Sequence, residues 1–391
     1  LNRQVEKGRT LLVDGPASVS VVSGKVEVFG LQVRNNSRIV IREGKRLPFA
    51  VEETGELNVS LGVAGSVEEV EGSTIPSSWI EAFETLRNLQ KRPVVVMVIG
   101  GVDSGKTSFC TYLINRLVNE KCSVSVLDED MGQSDIGPPC TIAYAHVAKP
   151  VTDLFNLEGE NAFFVGATSP SDAADMTVDG TAFLIAEILG RGKTDFVFVN
   201  TDGWAEGEEA VEFKSRLANA LRPNVIFCLQ RQDELPSLCA TFGDALGEFR
   251  EERAESPAAV RQRDKEKRRN LRELGYAKYL GNAKVKSLSL KRLKIKDCCG
   301  TSSPSSSARA ANAIVPEKNI ALRLGKEKGL LVGLHDKENR FLGLGILHGV
   351  DYVRQMLKLR TCVSAEPLHI LLGKVRLDEN LHEIPALWAN I

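Results

Sequence analysis

The residues whose types and spacing suit chemistry begin at Gly100-Gly101-Val102-Asp103-Ser104-Gly105-Lys106-Thr107, the G-x-x-x-x-G-K-[ST] pattern that cradles phosphate. The apolar run Val94 to Ile99 precedes it, and a helical pattern through Phe109, Tyr112, Leu113 and Leu117 follows. Gly100 and Gly105 let the backbone curl until its N–H groups point at phosphate oxygens, and the start of the helix adds its dipole. Lys106 is placed to reach the β- and γ-phosphates of a triphosphate and Thr107 to ligate magnesium, while Gly101, Val102, Asp103, Ser104 and Ser108 complete the expected ATP-binding set. A loop that holds nucleotide without doing chemistry is the plainer alternative.

The next expected strand ends in Asp128-Glu129-Asp130-Met131-Gly132-Gln133. On extended backbone Asp128 and Asp130 point the same way, so both reach the mouth of the sheet beside the glycine loop. Two carboxylates there divide two tasks, one supporting magnesium and the other accepting a proton from an attacking hydroxyl. The competing reading is a solvated acidic turn. A further strand ends in Thr201-Asp202-Gly203-Trp204, where the indole of Trp204 either stacks on a base or packs into the core. The lysine and spacing of a guanine-reading N-K-x-D are absent from this loop, which weighs against a GTPase. Residues 261–272 carry seven basic side chains against two acidic ones, with Arg268 and Arg272 four apart on one helical face. They form either a lid over the γ-phosphate or an exposed helix with pairs such as Asp264 to Arg268.

Elements that position these residues follow from periodicity. Residues 1–75 alternate short β-rich runs with turns, as in a small antiparallel sandwich or barrel. Ser77 to Leu89 reads as a helix with Ser77 or Ser78 as N-cap and Trp79, Ile80, Phe83 and Leu86 at helical spacing. From Arg92 to Gln230 strands and helices alternate as in a parallel sheet. Strands are expected at Val94 to Ile99, Ser123 to Leu127, Ala162 to Val165, Phe196 to Asn200 and Val225 to Leu229; helices at Lys106 to Asn119, Ala173 to Leu189 and Glu208 to Leu221. Ligands in such sheets bind beyond the carboxyl ends of the strands. The basic stretch Lys284, Lys286, Lys291, Arg292, Lys294 and Lys296 reads as β-structure, either one basic face for a phosphate backbone or an edge guarded by lysines. Thr301 to Asn312 reads as a linker, and β-runs between Leu330 and Val375 as a closing β-domain. The expected division is 1–75, an N-terminal β-domain; 76–300, a P-loop core with an arginine-rich lid at about 253–281; and 301–391, linker and C-terminal β-domain.

Composition sets the bounds. A chain of 391 residues exceeds one ordinary domain, and its net charge of −1 leaves nucleic-acid contact to local clusters. Eight cysteines include no C-x-x-C pair, only the adjacent Cys298-Cys299, and the five histidines show no metal spacing. No apolar run is long enough to span a bilayer, and the first residues lack a signal peptide's regions, so no membrane contact and an intracellular location are expected.

Taken together, G-x-x-D-S-G-K-T, D-x-D-x-G-Q, T-x-G-W and R-x-x-x-R, in this order, resemble the polynucleotide 5′-hydroxyl kinases. That family includes archaeal polynucleotide kinases and the RNA kinase subunit of eukaryotic pre-mRNA cleavage and tRNA-splicing complexes. Gln133-Ser134-Asp135-Ile136-Gly137-Pro138-Pro139 and Asp14-Gly15-Pro16-Ala17 look closest to the archaeal members, for which the location would be cytoplasmic. The resemblance implies an α/β fold, a P-loop NTPase parallel-sheet core between small N- and C-terminal β-domains. It implies ATP-dependent transfer to the 5′-hydroxyl of RNA, with DNA as a second acceptor and RNA-processing proteins as partners. Lys106 and Thr107 become the phosphate and magnesium residues, Asp128 the base, and Asp130 the metal or water support. Gln133, Thr168 and Trp204 position the terminal nucleotide, and Arg268 and Arg272 form the lid. Ser171 to Asp175 is acidic where this family leads one to expect a more polar or basic run. The alternative within the same resemblance is an ATP-binding scaffold of an RNA-processing complex with little turnover.

Overall fold

A computed structural model describes residues 1–231, 250–297 and 328–385. The adjacent Cys298-Cys299 and the linker read at Thr301 to Asn312 lie outside the described residues.

The first seventy residues form two antiparallel sheets. One orders β1 (Asn2–Val5), β8 (Gly55–Leu61), β3 (Ala17–Val21) and β6 (Arg38–Ile41); the other orders β5 (Leu31–Val33), β4 (Lys25–Val28), β7 (Arg46–Glu53), β2 (Arg9–Asp14) and β9 (Ser66–Glu71). Alternate residues such as Val19, Val21, Leu57 and Val59 from one sheet and Leu11, Val13, Val26 and Phe49 from the other fill a shared core. The helix α1 (Ser77–Asn88) follows. Its first position is preceded by Pro76 and no side chain caps it; the Ser78 hydroxyl instead accepts from the Glu255 N–H at 3.0 Å.

The central sheet runs β13 (Asn161–Phe164), β12 (Thr141–Val147), β11 (Val124–Asp128), β14 (Phe196–Asn200), β10 (Val94–Gly100), β15 (Val225–Gln230), β16 (Arg250–Glu255). All seven residues of β10 are buried, as a strand covered on both faces requires. Alternation then sorts its side chains. Val94, Val96 and Val98 face α1 and α2 (Lys106–Asn119), whereas Val95, Met97 and Ile99 face α3 (Ala174–Gly190) and α4 (Glu208–Leu221).

This sheet is mixed, not wholly parallel as the alternation suggests: β12 is antiparallel to both β11 and β13. A parallel crossover needs a dozen or more residues, usually a helix. Residues 129–140, which separate β11 from β12, just reach that length, but Gly132, Gly137, Pro138 and Pro139 keep them from forming a helix, and the chain turns straight back. The expected lid also begins later, because Arg253 to Glu255 complete β16, the parallel edge strand.

The lid helix α5 (Lys265–Leu280) leads into a C-terminal sheet ordered β17 (Lys284–Ser289), β21 (Met356–Thr361), β20 (Phe341–Asp351), β19 (Leu330–His335), β22 (His369–Leu377), β18 (Lys294–Asp297), with β23 (Glu383–Ile384) paired to β22. The basic stretch before residue 300 therefore joins the C-terminal sheet rather than the core. Its two strands occupy opposite edges, so its lysines do not make one continuous basic face; they guard two open edges. Leu331, Leu344, Ile346 and Leu377 pack this sheet onto Phe164 of the core and Tyr276 and Leu280 of α5. Among the described residues, no helix is long and apolar enough to cross a membrane.

Candidate active site

The glycine loop starts at a close approach that leaves no room for a side chain. A Cβ on Gly100 would stand 2.5 Å from Ser104 Oγ and 2.8 Å from the Leu229 carbonyl, and Gly105, at φ +98°, turns the chain into α2. Lys106 is buried and its ammonium donates to the carbonyls of Gly100 and Gly101, both at 2.8 Å. Burial pushes this amine down to about 8 against the upward pull of Asp130 and Asp202.

Beside it, β11 and β14 end in register, with Asp128 opposite Asn200. Asp128 is enclosed: Oδ1 accepts from Asn200 Nδ2 at 2.9 Å and Oδ2 from the Asp135 N–H at 2.6 Å. Burial, then the charges of Asp135 and Asp130, push its carboxyl up to about 7. The same Asn200 amide lies 3.3 Å from Thr107 Oγ1, linking acidic strand end to phosphate loop. Asp130 is half-buried, and its Oδ1 accepts from the N–H groups of Gly132 (3.2 Å) and Gln133 (2.9 Å). Burial and the Asp202 charge raise it too, opposed by Lys106.

The Thr201–Trp204 turn rests on a buried charge cluster. Lys214, with no exposed surface, pairs with Asp202 and lies 3.8 Å from Glu129; Asp202 Oδ1 accepts from the Trp204 N–H at 2.6 Å. Burial lowers the Lys214 amine, but Asp202 and Glu129 outweigh it and raise it, whereas burial and then Asp202 lift Glu129 well above the carboxylate range. Trp204 packs on Phe213 at 5.6 Å and 24° and also stands in the cavity wall.

That cavity, of about 910 Å³, is lined by Gly101 to Ser108 of the loop, by Asp130, Gln133, Thr168 and Trp204, and by Arg268 and Arg272. It brings together the expected set except Gly100 and Asp128, which lie behind its wall. Of the two carboxylates Asp130 faces the cavity, whereas the Asp135 N–H and the Asn200 amide hold Asp128 behind its wall. Thr168 comes close because a Cβ on Gly132 would lie 2.5 Å from its carbonyl. In the acidic run after it, Asp175 is paired with Arg216.

The lid arginines differ in their partners. Asp264 caps α5, accepting from the Lys267 N–H at 2.7 Å, rather than pairing with Arg268 as the sequence suggests. Arg268 donates to the Arg263 carbonyl at 2.6 Å and lies 3.6 Å from Asp103, and its own carbonyl accepts from Gln133 Nε2 at 3.0 Å. Arg272 forks onto Glu383 of the C-terminal sheet, with 2.7 Å for both bonds.

Sequence reasoning misses Asn200, Lys214 and Arg263. Arg263 grips the phosphate-loop Asp103 through its backbone N–H (2.8 Å) and its guanidinium (2.8 and 2.6 Å). Lys214 alone has a local signal, a lysine within the apolar stripe Ala210, Phe213, Leu217 and Leu221 of α4. On the N-terminal side Arg42 and Lys45 bind Asp135 and Asp153, tying that domain to the acidic loop.

A strand, a glycine loop ending in Lys106-Thr107 and a helix, beside an acidic strand end, define a P-loop nucleotide-binding protein of the α/β class. Residues 100–282 match the family described as mRNA cleavage and polyadenylation factor CLP1 P-loop. A polyribonucleotide 5′-hydroxyl-kinase of Pyrococcus furiosus is 30% identical over 334 residues, 76% of this chain and 91% of that protein. One of Methanocaldococcus jannaschii is 27% identical over 349 residues, 80% and 95% of the two chains. The chain belongs to the family of these archaeal polyribonucleotide 5′-hydroxyl-kinases. Clp1p, solved in complex with a segment of Pcf11p, shares the fold at a TM-score of 0.73 and 15% identity, covering 96% of this chain and 97% of that one.

Proposed function

We propose that this protein transfers the γ-phosphate of ATP to the 5′-hydroxyl of RNA. The observation that carries the reading is the single cavity lined by the phosphate loop, by one half-buried carboxylate, by an indole and by two lid arginines. The reading is supported by the relatives, which are named polyribonucleotide 5′-hydroxyl-kinases.

In-line transfer asks for positioning and charge neutralisation more than for covalent chemistry. The 5′-oxygen attacks the γ-phosphorus, ADP leaves, and the hydroxyl proton passes to the Asp130 carboxylate. Burial and the Asp202 charge raise this carboxyl above its ordinary value, and a raised carboxyl is a stronger base than an ordinary one. Asp128 acts behind it, holding Asn200 and the Asp135 backbone. Lys106 with Arg268 and Arg272 meets the charge on the phosphates, while Gln133, Thr168 and Trp204 seat the terminal nucleotide.

Thr107 would offer a hard oxygen that suits Mg²⁺, leaving the Asp130 carboxylate for the proton. Among the described residues no group of three or more His, Cys, Asp or Glu side chains is built to hold a metal, which fits an ion carried largely by substrate phosphates. When bound, Mg²⁺ neutralises charge on the β- and γ-phosphates.

Labelled γ-phosphate transfer to matched 5′-hydroxyl RNA and DNA oligonucleotides, with Lys106→Ala as control, tests the reading and ranks the two acceptors. Label at the RNA 5′ end, lost in the variant, is the expected result. ATP binding without label on either strand would replace the kinase with a nucleotide-holding scaffold and turn attention to protein partners.

A further inference from the structure

We infer that Glu383, on the short last strand of the C-terminal sheet, is a positioning residue for the transfer, holding Arg272 and the lid helix α5 at the cavity. The inference rests on the kinase reading above.

The helix is poorly equipped to hold itself. Of its 16 residues only Tyr276 and Leu280 are buried, both in the C-terminal half. The half that bears Arg268 and Arg272 has Leu271 against Gly44, where a Cβ would meet the leucine at 2.7 Å, and no buried residue. Helices gain most of their stability in proteins from a packed apolar face. Here polar contacts replace it.

Several of those contacts converge on one residue. Arg272 donates to both Glu383 oxygens, the Tyr276 hydroxyl to Oε1 at 3.2 Å, and Arg269 to the Glu383 carbonyl, while the Glu383 N–H donates to Glu273 Oε1 at 2.9 Å. Arg269, Arg272, Glu273 and Tyr276 occupy positions i, i+3, i+4 and i+7, a single helical face. A fork-on-fork pair fixes the plane of the guanidinium as well as its distance. Arg272 and Glu383 are 18% and 16% exposed, so water competes weakly for the pair. The C-terminal sheet thus reaches the active site through a carboxylate that touches no substrate.

A shift of about 1 Å in a catalytic group is enough to cost about 10²-fold in rate. The test compares Glu383→Ala and Glu383→Gln, each alone and with Arg272→Ala, by γ-phosphate transfer to 5′-hydroxyl RNA, together with ATP affinity, melting temperature and hydrogen exchange over residues 265–275. Expected are a fall in kcat of about 10²-fold for Glu383→Ala, unchanged ATP affinity, and a smaller fall for Glu383→Gln, whose amide keeps one acceptor. Exchange in α5 rises, and the cost of Glu383→Ala shrinks once Arg272 is gone. An unchanged kcat with unchanged exchange in folded variants overturns the inference. A raised kcat overturns it in the other direction, making Glu383 a competitor of phosphate for Arg272. Should Glu383→Ala fail to fold, Glu383→Gln carries the same comparison. A wild-type protein without transfer defeats the kinase reading, while hydrogen exchange still decides whether Glu383 holds the helix.

Discussion

The phosphate loop and the lid face the same cavity, yet different forces hold them there. The loop is strung between β10 and α2, whose Ile99, Phe109, Cys110 and Leu113 have no exposed surface, and the close approach of Gly100 to Ser104 and Leu229 fixes where its backbone starts. The lid hangs on Asp103–Arg263, on Arg268 and the Arg263 carbonyl, and on Arg272–Glu383. Apolar burial is non-directional and fixes the loop when the chain folds. Ion pairs are directional and open to exchange with another anion, so the lid keeps its shape only while its partners do. A triphosphate therefore meets a site that is rigid on one side and exchangeable on the other.

Substitution can break this contrast at several points. The largest effect is expected at the rigid side: Lys106→Ala lowers the transfer rate by about 10³-fold and Asp130→Asn by about 10²- to 10⁴-fold, read from kcat/KM with RNA. A smaller cost for Asp130→Asn than for Asp128→Asn would return the base to Asp128. Next, Phe109→Ala lowers stability by about 3–5 kcal/mol, whereas Arg268→Ala alters it by less than about 1 kcal/mol while slowing transfer; urea unfolding beside kinetics separates the two. Equal stability losses would erase the distinction between packed loop and paired lid. Trp204→Ala weakens RNA binding by about 1–3 kcal/mol and leaves ATP binding alone, as a titration with each ligand checks.

The smallest expected effect is on pH dependence. Asp128 sits at about 7 in the folded protein, above its ordinary value, so its contribution favours the fold most below pH 4 and is lost as pH rises to 7. On the lid side burial pushes Asp14 up, but Arg46 and Ser66, then the charge of Arg261, hold it below its usual value. That contribution is present above about pH 4 and is lost as pH falls below it. Unfolding free energies of wild type and Asp128→Asn from pH 4 to 8 should shift in favour of the variant up to pH 7 and then run level. A difference independent of pH would mean that Asp128 is ionised throughout.

The loop side was legible in the sequence and the lid side only in part, for the same physical reason. Helix α2 begins at Lys106 and ends at Asn119, as the spacing predicts, because glycine, lysine and an apolar period write that unit locally. Lys106, Thr107, Asp130 and Trp204 come from such short motifs. Partners chosen by folding leave no local mark: Asp103 and Arg263 are 160 residues apart, Arg272 and Glu383 are 111 apart, and one arginine in a charged run looks like the next. The antiparallel return of β12 is likewise a choice of sheet register, with no helix period or hairpin turn to announce it. Asp128 shows the limit from the other side, since the motif gives two carboxylates and only the enclosing backbone tells which one is shut in.

The two indoles of the described residues divide as the molecule does. Trp79 is fully buried, edge-on to Phe109 at 5.2 Å, with its N–H given to the Glu255 carbonyl; Trp204 stands in the cavity wall. Both indoles line the cavity, but only Trp204 of the two keeps exposed surface, so a base stacking on it would quench its emission, and occupancy of the nucleotide end can be followed in unlabelled protein as a partial loss of tryptophan light.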